Sequence, residues 1–233
     1  MVGMKVLEEV GMEINTRSKG LVDNLSEYNF HILGCGAIGS SAAIQLARMG
    51  ADKFALYDMD KVESPNIGVS QYRIYDIGHL KVDMLKGHLK EINDSAEIIC
   101  DENMFKDYIY MNENDIIILG FDSMEVRMQA VKALTKYKYA KPFLLIDGRM
   151  GAEHYQQYTF IAPSLAKYEK TWYSDESGSE EPCNMKATSY CSNMAGSFIA
   201  NTIRKVVTKQ PYEVALSFNF PTMTLQKNSC FKY

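Results

Sequence analysis

Residues 29–50 read NFHILGCGAIGSSAAIQLARMG. A short apolar strand over 30–33 leads into a turn carrying Gly34, Gly36 and Gly39, after which Ile38, Ala42, Leu46 and Met49 recur at helical spacing until Gly50 stops the helix. Glycines let the backbone turn sharply and let a ligand approach. The free N–H groups and dipole at the helix start, around Ala37, Ile38 and Gly39, favour negative charge. The stretch is a place to hold a phosphate. It does not by itself say which nucleotide sits there.

Working outward, residues 53–57 (KFALY) form a second strand that ends at Asp58, nineteen residues after Gly39, where an acidic side chain accepts hydrogen bonds from ribose hydroxyls. Two readings then compete, a nicotinamide or flavin dehydrogenase and an enzyme that uses ATP. Residues 60–77 lose periodicity and contain Pro65 and Gly68, so they read as an ordered loop. A helix resumes at Leu80 with Leu85, Leu89 and Ile92 on one face, and strands follow over 96–100, 115–119 (DIIIL) and 142–146 (PFLLI). Asp122, with Glu125 three residues on, is expected to cap a helix burying Met124, Met128, Val131 and Leu134.

This alternation predicts an α/β fold, a Rossmann-like and mostly parallel sheet with helices on both faces. Residues 154–162 (HYQQYTFIA) alternate like an antiparallel strand, and 213–226 read as one or two closing strands, so antiparallel strands are added in the C-terminal part. Between them lies a polar, acidic stretch, 164–182, expected to be a long mobile loop, and a helix over 187–207. Residues 1–28 are expected to be an N-terminal arm, and the whole chain one domain.

Composition narrows the partners. A formal net charge of -4, with no block of Lys or Arg, argues against nucleic acid or an anionic membrane. No run approaches a membrane span and the N-terminus is too weakly apolar for a signal peptide, so a cytoplasmic protein is expected. Five cysteines at irregular spacing fit a reducing compartment, and without a C-x-x-C pair no structural zinc is expected.

Beyond Asp58 the chain resembles the ubiquitin-activating superfamily, including the ThiF/MoeB/HesA adenylyltransferases. In that superfamily the second strand ends D-x-D-x-V, followed by S-N-L-x-R-Q, an aromatic and D-I-G-x-x-K. This chain offers Asp58-Met59-Asp60-Lys61-Val62, Pro65-Asn66-Ile67, Gln71-Tyr72-Arg73, and Asp76-Ile77-Gly78 followed by Lys81. Asp122 and Arg127 match the family's D-x-x-x-x-R, and LIDGRMGAE (145–153) matches the segment after the next strand. Glu181-Pro182-Cys183-Asn184 is similar to the P-x-C-T site of eukaryotic members. The resemblance spans about residues 15–207.

What the resemblance implies is a single ThiF-type adenylation domain, with 164–182 as a crossover-type loop. The implied chemistry is ATP- and Mg²⁺-dependent adenylation of the C-terminal carboxylate of a small ubiquitin-like or sulfur-carrier protein with a Gly-Gly tail. It implies that Lys81 reaches the α-phosphate, Asp122 holds Mg²⁺, and Asn66 bonds phosphate or ribose oxygens. Gly34, Gly36, Ala37, Ile38, Gly39, Asp58, Asp60 and Gln71 would line the nucleotide site, and Cys183 would carry the substrate as a thioester. The family's arginine before Gln is missing, since Ser70 stands there; Arg73 aligns with a second family arginine, and Arg17 is a substitute from the arm. A homodimer is expected by resemblance, and because Ala195-Gly196-Ser197 leaves room for close packing.

Each residue also has a plainer reading. Lys81 would be a solvated lysine, Asn66 a turn residue, Arg127 a surface ion-pair partner, Asp147-Gly148-Arg149 a structural turn, and Cys191 core. Two other function classes stay open: an NAD-linked oxidoreductase, and a catalytically silent relative that holds a partner protein.

Overall fold

The computed structural model describes residues 14–103, 111–136, 141–177 and 187–227. The glycine turn joins β1 (Asn29–Leu33) to α1 (Ala37–Arg48). After it come β2 (Lys53–Tyr57), a single turn α2 (Ser64–Ile67), α3 (Lys81–Ile92), β3 (Glu97–Asp101), β4 (Asp115–Leu119) and α4 (Met124–Leu134). The chain continues through β5 (Leu144–Gly151), β6 (His154–Ile161), a short α5 (Leu165–Tyr168), α6 (Ser189–Val207), β7 (Ala215–Asn219) and β8 (Thr224–Lys227). All eight strands form one sheet in the order β3-β2-β1-β4-β5-β6-β7-β8. The first five run parallel, and β6, β7 and β8 add antiparallel to their edge. This is the expected Rossmann-like architecture.

Strand alternation divides the apolar residues between two cores. Ile32, Ile116, Ile118, Leu144 and Ile146 face α1, α3 and α6, while Leu33, Ile117, Leu119 and Leu145 face α4 with Met128, Val131 and Leu134. The whole of β4 is buried, as an inner parallel strand covered on both faces must be.

Helix α6 lies against α1. A Cβ on Gly196 would stand 2.3 Å from the Ser41 Oγ and 2.8 Å from the Ser41 backbone carbon, so only glycine permits this approach. Gly196, with the buried Ala195, thus serves a contact within the chain, which corrects the reading of these two as room for a second copy; Ser197 is exposed.

Two further stretches depart from the sequence reading. No turn forms at Asp147-Gly148-Arg149, because β6 pairs with β5 along its full length, from Leu144↔Ile161 to Gly151↔His154, and carries the strand through. Within the expected mobile loop, residues 164–177 contain α5 and a 3-10 turn (Asp175–Ser177). Residues 178–182 of that loop lie outside the described residues.

Candidate nucleotide site

The connections diverge between β1 and β4: from β1 the chain builds outward to β2 and β3, and from β4 to β5 on the other side. Loops leaving these two strand ends part, and a crevice opens above them. The glycine turn sits on one wall, and its glycines have different reasons. Gly34 has φ +91° and its Cβ would lie 2.7 Å from the Gly120 carbonyl carbon; a Cβ on Gly39 would lie 1.9 Å from the Gly34 oxygen. Those two are dictated by the chain's own packing. Gly36 has an ordinary φ of -74° and nothing within 4 Å of its Cβ position, so no contact within the protein excludes a side chain there. It is also the N-cap of α1, and no side chain caps that helix. The first turn holding Ala37 and Ile38 thus has no side-chain cap, an arrangement suited to an anion.

Beside it, the Asp58 carboxylate accepts from Cys35 N (2.7 Å) and Asp60 N (2.9 Å). The Lys81 ammonium donates to Asp60 Oδ2 (2.8 Å) and lies 3.9 Å from Asp58 Oδ1. Burial alone would lower the Lys81 pKa, but the hydrogen bond to Asp60 and the charges of Asp58, Asp60 and Asp122 outweigh it and raise it, so the ammonium stays charged. Burial pushes the Asp58 carboxyl up, against Lys81 and the two backbone bonds. The same burial raises the Cys35 thiol well above its ordinary value, which makes it inert. Lys81 is therefore a buried, paired lysine and not the solvated one of its plainer reading. A strut holds the arrangement: the buried Tyr72 hydroxyl donates to Cys35 O at 2.6 Å and lies 3.2 Å from Lys81 O, tying the glycine turn to the start of α3.

Across the crevice, Asp122 is exposed on the loop between β4 and α4. It does not cap α4, which corrects that expectation: Ser123 is the N-cap and accepts from Val126 N. The corner is braced from below by a buried cluster. Asp147, fully buried, accepts from Arg127, from Arg149 Nε (2.9 Å) and Nη2 (2.6 Å), and from the Tyr168 hydroxyl (3.0 Å). Arg127 also donates to the carbonyls of Leu119 (3.3 Å) and Phe121, on either side of Gly120. Burial would raise the Asp147 carboxyl, but the two guanidiniums and Tyr168 hold it below its ordinary range. Arg127 is thus not a surface residue, as its plainer reading had it, because its two partners are buried main chain and a buried carboxylate.

The remaining candidates scatter. The Asn66 side chain accepts from Glu63 N (2.8 Å) in the cap of α2, so its turn role is filled. Gln71 donates to Asn193 Oδ1 (2.9 Å) on α6. Arg73 forms an exposed pair with Glu91 (2.7 Å) in a groove of about 540 Å³ that also takes in Arg48 and His88, and none of Gly36, Asp58, Lys81 or Asp122 lines it. Arg17 is exposed in a turn ahead of β1. Cys183 lies outside the described residues, and Cys191 is buried in the core. Among the described residues no group of three His, Cys, Asp or Glu side chains could hold a metal. Asp122 suits a cation only alongside phosphate oxygens and waters, the usual company of Mg²⁺. The sequence reading gave no working part to Tyr72, Asp147 or Arg149; the aromatic of Gln71-Tyr72-Arg73 was the available signal for the first.

Residues 11–232 match the ThiF family. The tRNA threonylcarbamoyladenosine dehydratase of Bacillus subtilis (strain 168) is 30% identical over 99 residues, covering 42% of this chain and 39% of that protein. The ubiquitin-like modifier-activating enzyme 5 of Arabidopsis thaliana is 39% identical over 77 residues, covering 32% of this chain and 18% of that protein. Among solved structures, PaaA aligns with a TM-score of 0.75 at 17% identity, covering 98% of this chain and 86% of PaaA. Escherichia coli MccB with ATP aligns at 0.67 and 19%, covering 89% and 65%. Those likenesses speak for the fold. The chain spans well under half the length of these two curated relatives. With the match extending over nearly all of its residues, the chain belongs to the ThiF family.

Proposed function

We propose that this ThiF-family chain binds ATP at the β1/β4 crevice and adenylates a carboxylate at the end of a small ubiquitin-like or sulfur-carrier protein or a peptide. The observation that carries the reading is Gly36, a glycine the protein's own packing does not require, set at an uncapped helix start opposite Lys81 and Asp122. In the reaction a carboxylate oxygen attacks the α-phosphorus, the bond to pyrophosphate breaks, and an acyl adenylate forms. The first turn of α1 holds phosphate oxygens, and Asp58 accepts from the ribose hydroxyls. Lys81 leaves the exposed Asp60 carboxylate and turns to the α-phosphate, where its charge offsets what develops at the leaving oxygen. Mg²⁺, held by Asp122 with the phosphates and water, would supply further charge neutralisation.

On this reading Cys183 attacks the acyl adenylate as thiolate, AMP leaves, and the carrier is held as a thioester. The protein acts in the cytoplasm as a homodimer, where Arg17 of one copy is available to the other's phosphates.

ATP–pyrophosphate exchange with candidate carriers ending in Gly-Gly tests the proposal. Exchange should depend on the carrier and vanish in Asp122→Ala; exchange unchanged in that variant would remove Asp122 from the mechanism. A carrier conjugate that is cleaved by reductant and lost in Cys183→Ala supports the thioester, and full conjugate in that variant overturns it. A second reading, a silent scaffold, is favoured by Arg73 being paired with Glu91 away from the crevice. Calorimetry with Mg-ATP separates the two, because a scaffold gives no binding heat. An acceptor on tRNA, suggested by the name of the Bacillus relative, fits the net charge of -4 poorly.

A further inference from the structure

Three helices begin around the crevice, α1, α3 and α4, and the first turns of α1 and α4 are treated differently. The start of α1 is left without a side-chain cap, whereas the start of α4 is filled by a carboxylate from about 50 residues further along the chain. Asp175 accepts from Met124 N at 2.7 Å through Oδ1, and from the Ser123 hydroxyl (2.9 Å) and Glu125 N (3.3 Å) through Oδ2. Three residues earlier, the Trp172 indole donates to Met124 O at 2.8 Å. Behind them, Arg149 Nη1 donates to Thr171 O (2.7 Å), so the segment is anchored to the same buried cluster that braces Phe121.

We propose that Asp175, with Trp172, latches residues 171–177 onto the first turn of α4 and thereby positions Asp122, the residue directly before the helix cap. The inference rests on the adenylation reading for its effect on rate, and Asp175 is a positioning residue there, not a catalytic one. Its physical basis is substitution. Backbone donors at a helix start are satisfied by whichever acceptor is nearest, and the Asp122 carboxylate, one residue before the cap, is close at hand. With Asp175 in that place, Asp122 stays exposed and near enough to act electrostatically on Lys81. Asp175 also places a negative charge where a phosphate would otherwise settle, which leaves the start of α1 as the anion site.

Trp172 is the chain's only tryptophan, so its emission reports on the latch directly. In the full chain, Asp175→Ala should shift that emission to the red and open it to acrylamide quenching. It should also lower kcat for ATP–pyrophosphate exchange on the order of ten- to a hundredfold, with KM for ATP changed little. Asp175→Asn, which keeps one acceptor oxygen and the side chain's shape, should recover part of both and serves if the alanine variant does not fold. Quenching in both variants equal to wild type overturns the latch, and so does normal kcat in a variant whose Trp172 has been released. Wild-type chain without exchange would instead defeat the adenylation reading, and Trp172 quenching alone would then decide whether the latch exists.

Discussion

Two charge clusters lie along the carboxyl side of the sheet, and they are built to opposite ends. Around Asp147 every group is buried and every partner is supplied by the protein: two guanidiniums, a phenol and main-chain carbonyls. At the end of β2, Lys81 is buried between Asp58, whose side chain is 9% exposed, and Asp60, at 61%. A closed cluster holds a shape; one with a partner in solvent can exchange that partner for a ligand.

The comparison breaks first at Asp147. Replacing it with alanine leaves two buried guanidiniums unmatched, and we expect a loss of about 3–5 kcal/mol in a urea titration. A loss below about 1 kcal/mol would mean the closed cluster is not closed. Lys81→Ala should shift the balance, costing less stability than Asp147→Ala because Asp60 is already in solvent, while lowering pyrophosphate exchange on the order of a hundredfold or more. Equal damage to folding and exchange would erase the distinction.

The glycine turn repeats the contrast on a smaller scale. Gly39→Ala drives a Cβ into the Gly34 carbonyl and should destabilise by about 1–3 kcal/mol. Gly36→Ala should leave the urea midpoint in place and weaken Mg-ATP in calorimetry.

The smallest effect is in pH. Asp147 has a lowered pKa in the fold, so its contribution is present above about 3.9, the ordinary aspartate value, and is lost as pH falls below that through the folded pKa. Asp58 has a raised pKa, so the folded chain holds that proton more tightly than the unfolded chain, and stability declines as pH rises just above the same value. Urea midpoints across this range should decline more steeply in wild type than in Asp58→Asn, where Asp52, also raised by burial, still contributes.

How much of this the chain displays in advance depends on how local the cause is. The bounds of β2 and β4 could be read directly, because five-residue apolar runs between polar ends have one interpretation in an α/β pattern. Asp58, Lys81 and the glycines could be singled out because ordered motifs place them, and the fold brings Asp58 and Lys81 beside the glycine turn. The brace was not legible: Arg127, Asp147, Arg149 and Tyr168 come from three elements, and a charged residue read singly looks exposed. Asp122 was misread as a cap because its neighbour Ser123 and the distant Asp175 share that task between them. The turn expected at Asp147-Gly148-Arg149 failed for a similar reason, since the strand continues only because β6 lies alongside.

The joint at the floor of the crevice has a consequence for how this site can change. Gly34, Gly39 and Gly120 meet backbone to backbone, with the Gly120 Cβ position 2.9 Å from the Gly34 oxygen and 3.2 Å from the Gly39 nitrogen. The gap between the glycine turn and the corner bearing Asp122 is therefore gauged by main-chain atoms, whose dimensions are the same whatever side chains surround them. On the proposed adenylation, substitutions along the rim would alter which acceptor is admitted, while the span that the reacting phosphate would bridge keeps its calibration.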